Sequence, residues 1–161
     1  MPTWASSVGV NPLRDFGFIL KDLTRRYVLR FEQRARAISL TLPQCKVLVR
    51  LDRNQGISQT RLAELSDLDP MTIVRILDHM ESEELLERKQ DPTDRRARCL
   101  YLTARAKPLL DEITRLSVLT RDELFAGISR TERDEFLSVL GRIYQNSLAL
   151  EEAPARETLT E

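Results

Sequence analysis

The chain has few of the residues from which catalytic and metal centres are built. It carries two cysteines, Cys45 and Cys99, and a single histidine in 161 residues. The cysteines are far apart with no Cys-x-x-Cys, so no zinc site is expected, and they read as reduced thiols with a redox sensor as the alternative. Five glycines and no glycine-rich phosphate loop leave no nucleotide cradle. With no nucleophile–base pair discernible, neither an enzyme nor a cofactor is expected. No apolar run approaches the roughly 20 residues of a membrane span. The N-terminal MPTWASSVGVNP lacks a basic segment followed by an apolar core, so the expected location is the cytoplasm.

Net charge is lacking too, at zero overall, but its distribution is uneven. Residues 1–110 hold 19 Lys/Arg against 14 Asp/Glu, whereas residues 111–161 hold 6 against 11. Such segregation lets one region meet phosphate while the other is turned away from it. Hydrophobic content of 42% with 31% charged residues describes a globular chain rich in amphipathic helix.

What is present is a succession of helix signals. Asn11-Pro12 starts a helix, and Leu13, Phe16, Leu20, Leu23, Tyr27 and Phe31 continue one apolar stripe to about Arg36. Thr41 to Gln44 reads as a capping box, followed by Cys45, Val47, Leu48 and Leu51 and a stop at Asn54-Gln55-Gly56. Ser58 caps a short third helix, Ser66-Asp67-Leu68 is a turn, and Asp69-Pro70 opens a fourth helix expected to reach Leu85. Two short strands, Leu86–Gln90 and Arg98–Leu102, then flank the turn Asp91-Pro92-Thr93-Asp94. Thr103 caps a long helix ending near Gly127, Ser129 to Glu132 is a second capping box, and a last helix runs through Leu148. The polar tail 151–161 is expected to fray.

The short helix, tight turn and polar-faced second helix meet the specification of a helix-turn-helix. Thr72 and Arg75, three apart, share a face; Arg can donate twice to guanine, and a Thr methyl or Met71 can pack on a thymine methyl. Either side chain could instead contact phosphate. Ser58, Gln59 and Arg61 suit phosphate contacts, and His79 suits a phosphate contact or a plain surface position. The hairpin has Arg88, Arg95, Arg96 and Arg98, and its tip has the size and charge to enter a minor groove.

Residues 57–107 resemble the DNA-binding core of the MarR family of winged-helix regulators. The resemblance lies in the LAEL helix, the Thr-x-x-Arg-x-Leu-Asp-x-Met-Glu recognition helix, and Asp94-Arg95-Arg96 followed by Leu102-Thr103. LTARAKPLLDEI and DELFAGIS are similar to the SlyA-like branch. The resemblance implies a mainly α fold of six helices plus a β-hairpin wing. It divides the chain into an N-terminal dimerisation helix (1–40), a winged helix-turn-helix (41–103), C-terminal dimerisation helices (104–150) and a tail. Arg96 would enter the minor groove, held by Asp94, with Arg95 adding phosphate or groove contacts. Pro70, Met71, Thr72 and Arg75 map to the base-facing start of the recognition helix.

The resemblance further implies a homodimer on a pseudo-palindromic duplex, acting as a repressor or anti-silencer and modulated by a small aromatic or phenolic anion. Cys45 and Arg75 are candidate borders of that ligand's cleft, Cys45 being otherwise a core thiol. The family usually has Gly where Glu84 and Ala106 stand, so the recognition helix is expected to run on a little further. No cysteine lies early in the first long helix, where peroxide-sensing members carry theirs. The rival reading is a helical dimeric interaction module whose basic hairpin binds an acidic protein. Steep salt dependence would separate the two.

Overall fold

The computed structural model describes residue 11 and residues 14–91 and 98–152, forming six α-helices and one small antiparallel sheet. The helices are α1 (Phe16–Ala35), α2 (Leu42–Arg53), α3 (Gln59–Ser66), α4 (Pro70–Ser82), α5 (Lys107–Leu124) and α6 (Arg130–Glu152). The strands are β1 (Ile57–Ser58), β2 (Leu86–Gln90) and β3 (Arg98–Leu102), in the order β1-β3-β2. The expected mainly α fold with a hairpin wing is therefore present. β1 was not foreseen: its two residues are too few to show alternation, and it exists because Ile57 and Ser58 pair with Leu100 and Cys99. Contacts divide the chain into two units, residues 1–121 and 122–161.

In the first unit, local chemistry sets the helix ends. Thr41 Oγ1 accepts from the Gln44 N–H while Gln44 Oε1 accepts from the Thr41 N–H, the reciprocal capping box that starts α2. Ser58 Oγ accepts from the Arg61 N–H at 3.2 Å to start α3. Asp67, in the left-handed region at φ 51°, ends it. Gly56, at φ 82°, leads into β1; its N–H donates to Leu100 O, and a Cβ there would lie 2.9 Å from the Tyr101 hydroxyl. The start of α5 differs from expectation: Thr103 caps a 3-10 turn over Ala104–Ala106, and α5 follows it.

The core lies where α2 meets the winged segment. Val47, Leu48 and Leu51 of α2, Leu62 of α3, Ile73, Leu77 and Met80 of α4, and Leu86 and Leu100 of the hairpin are all fully or almost fully buried. Phe31 and Ala35 of α1 and Ile113 and Leu116 of α5 belong to the same cluster. Burial at 73, 77 and 80 fixes the rotation of α4, so positions 71, 75, 78 and 79 face outward.

The second unit has a different character. Ser129 and Glu132 form the foreseen capping box for α6. Arg133 stacks 4.9 Å over the Phe125 ring, ion-pairs with Asp122, and Phe125 meets Phe136 edge-on at 5.8 Å. Beyond that corner α6 has no buried side chain over its described length, although Phe136, Leu140, Ile143, Tyr144 and Leu148 recur at helical spacing.

Candidate nucleic-acid interface

α4 is held rigidly at both ends, which is what a reading helix needs. Asp69 Oδ1 accepts from the N–H groups of Met71 (3.1 Å) and Thr72 (2.9 Å), and Pro70 supplies a preset first turn. The Thr72 hydroxyl, then these N–H groups, hold the Asp69 carboxyl below its usual range. At the other end α4 stops at Ser82, so the expectation that it reaches Leu85 or beyond is overturned. Glu84 adopts φ 59°, the conformation a glycine would favour, and the Leu85 N–H reaches back to Met80 O. Glu84 is held there by its neighbours: its carbonyl accepts from Thr103 Oγ1, and its carboxylate pairs with Arg105 at 2.5 Å. Tertiary bonds thus impose the turn that a glycine would have made easy.

The outward side of α4 presents Pro70, Met71 (72% exposed), Arg75 and His79 to solvent, with Thr72 half-buried beside them. Arg75 forms no hydrogen bond or ion pair with any described residue, leaving its guanidinium free to donate. His79 lies 3.7 Å from Glu83. At the α3 start, Ser58 is occupied as a cap, Gln59 is half-buried, and exposed Arg61 pairs with Glu64 at 2.8 Å. An exposed pair of that kind contributes about 0–1 kcal/mol, so a phosphate can compete for the arginine. Asp94, Arg95 and Arg96 lie outside the described residues.

Arg88 has a role that charge counting missed. Its guanidinium bridges Asp78 (2.7 Å) and Glu81 of α4, and its side chain is only 21% exposed. It ties β2 to α4. The signal was available: carboxylates three apart on α4, followed by an arginine on the next strand. On the same hairpin, buried Cys99 donates to Asp91 at 3.2 Å, and that hydrogen bond raises its thiol pKa.

A cavity of about 680 Å³ opens among α1, α2 and α5. Cys45 lines it, with Tyr27, Phe31, Lys46 and Arg50 among its neighbours, whereas Arg75 does not. Burial pushes the Cys45 thiol up to about 11, so it is protonated at neutral pH. The Tyr27 hydroxyl and Ser117 Oγ are hydrogen-bonded at 2.8 Å beside this space.

Residues 40–97 match the family model described as the MarR family. A solved structure of the transcriptional repressor CouR bound to a 23-mer DNA duplex is 31% identical, with a TM-score of 0.67, over 83% of this chain and 96% of that one. A crystal structure of MarR is 27% identical with a TM-score of 0.74, covering 84% of this chain and 92% of that one. A MarR transcriptional regulator from Methanosarcina mazei Go1, 21% identical with a TM-score of 0.74 over 91% and 98%, matches in fold.

Proposed function

The chain belongs to the MarR family, with the winged-helix fold of its transcriptional regulators, and from that premise we propose that it binds a pseudo-palindromic DNA operator as a homodimer. The observation that carries this reading is the outer face of α4, where an unpaired Arg75 stands beside Met71, Thr72 and His79 on a helix braced at both ends. Arg75 and Thr72 read bases from the base-facing start of α4, with Pro70 and Met71 beside them; Ser58, Gln59, Arg61 and His79 line the approach to the backbone. Arg96, held by Asp94 and flanked by Arg95, enters the minor groove. Likeness to a repressor solved on a duplex supports this assignment.

Residues 41–103 form the DNA-binding part, and 1–40 with 104–150 the dimerisation part. LTARAKPLLDEI and DELFAGIS support a place in the SlyA-like branch. The protein acts in the cytoplasm as a repressor or anti-silencer, and a small aromatic anion held beside Cys45 shifts the spacing of the two reading helices. That shift requires the ligand to bind the two arrangements unequally.

Footprinting on DNA around the protein's own gene, followed by titration on the protected duplex and a scrambled one, tests the reading. We expect a protected palindrome, a steep loss of affinity with salt, and a cost of about 1–3 kcal/mol for Arg75→Ala with relaxed preference at one base per half-site. Equal affinity for protected and scrambled duplexes would overturn it.

A further inference from the structure

Many cations among the described residues have an anionic neighbour. Arg25 and Arg26 share Asp22, Arg61 has Glu64, Arg88 has Asp78 and Glu81, Arg105 has Glu84, and Arg115 has Glu112. Lys46, Arg50 and Arg53, like Arg75, have no ion-pair partner among the described residues. They lie on one face of α2, at steps of four and three, and all three line the cavity. Like charges at this spacing weaken a helix. Among the described residues, no acidic side chain lines that space to relieve them. The rest of the lining sets apolar Phe31, Leu42, Val49, Ile113 and Val118 beside Tyr27, Thr114, Ser117 and Arg121.

We propose that the cavity takes an apolar, ring-bearing ligand whose head group carries two or more negative charges, read by Lys46, Arg50 and Arg53. This rests on the effector reading above and sharpens it, since a phenol or a simple carboxylate would leave part of the cationic row unanswered. Arginine's planar fork suits a phosphoryl head, making charge-assisted bonds stronger than those to a neutral group. A space of about 680 Å³ accommodates a body larger than one ring. α2 is also a suitable transmitter: its opposite face, with Val47, Leu48 and Leu51, is buried in the winged-helix core.

The test is calorimetric titration of the full chain with 2-naphthyl phosphate, 2-naphthoate, 2-naphthol and inorganic phosphate, at about pH 8, where the ester is a dianion with a second pKa of about 6. We expect the ester to bind about tenfold or more tightly than the carboxylate, and Arg50→Gln/Arg53→Gln to erase most of that gap while leaving naphthol unchanged. Both arginines are exposed, so the variant is expected to fold; its circular dichroism and unfolding midpoint check this. Equal binding of ester and carboxylate, or a preference that survives the double substitution, overturns the proposal while the aromatic-anion reading stands. Inorganic phosphate binding as tightly as the ester removes the apolar wall from the argument and overturns it as well. Failure of every aromatic probe to bind defeats the effector reading along with it. A double variant that loses DNA affinity but no ligand discrimination assigns the row to DNA phosphate and also overturns the proposal.

Discussion

Glu84 shows how much one residue can hold against its own preference. A non-glycine residue in the left-handed region costs about 1–2 kcal/mol, and here Thr103 and Arg105 hold it in place. The Arg105 pair is exposed and contributes little. Glu84→Gly is therefore expected to raise stability by about 0.5–1 kcal/mol, read as a shift in the urea midpoint at constant slope. A loss of stability would mean that the Arg105 pair outweighs the backbone strain. Asp69 makes the complementary case. Its folded pKa lies below its ordinary value of 3.8, so the stability it adds is present above that value and lost as pH falls through the folded pKa. Amide exchange at Met71 and Thr72 should stay slow down to about pH 4 and quicken below it. Asp69→Asn should keep the cap but flatten that acid dependence.

At the scale of elements, Arg88 joins the β2–β3 hairpin to α4. Removing it leaves Asp78 and Glu81 as two unanswered carboxylates on α4, the element proposed to approach DNA. Arg88→Ala is expected to cost about 1–2 kcal/mol of stability, measured by urea unfolding. It should also weaken DNA binding without changing which base is preferred at the Arg75 position. Arg88→Lys should recover part of the stability, since one ammonium cannot span both acids as the fork does. A variant with altered base preference and unchanged stability would show that Arg88 itself contacts the duplex.

At the scale of the whole molecule, a single chain leaves apolar surface uncovered. Phe136, Leu140, Ile143, Tyr144 and Leu148 of α6 are each 37–60% exposed, and Phe16, Leu20 and Leu23 of α1 are 38–48% exposed. Apolar stretches of that extent mark an interface, and a second copy is the expected occupant. Light scattering at micromolar protein should give a dimer mass, and Leu140→Glu with Ile143→Glu should give a monomer. Salt should weaken DNA binding far more than it weakens this apolar association. A monomeric wild-type mass would remove the two-fold operator from the functional reading.

The six helices, the turn after α3, the caps at Thr41, Ser58, Asp69 and Ser129, and the paired strands β2 and β3 were legible in the sequence, although α1 begins at Phe16 and not at the expected Asn11-Pro12. Each is a local effect: a 3.6-residue stripe or a side chain reaching a backbone N–H three residues away. Which face of α4 points outward was legible for the same reason, since burial at 73, 77 and 80 leaves one choice of outer residues. Three things depended on tertiary structure. β1 exists only by pairing with a strand some forty residues away. The end of α4 at Ser82 is set by bonds from Thr103 and Arg105, against the intrinsic preference of Glu84. The fates of the basic residues diverged, with Arg88 committed to α4 and Lys46, Arg50 and Arg53 on a cavity wall without an ion-pair partner among the described residues. Charge in a sequence has a sign but no partner; distant segments must first be brought within a few ångströms before one arginine becomes a brace and another a binding group.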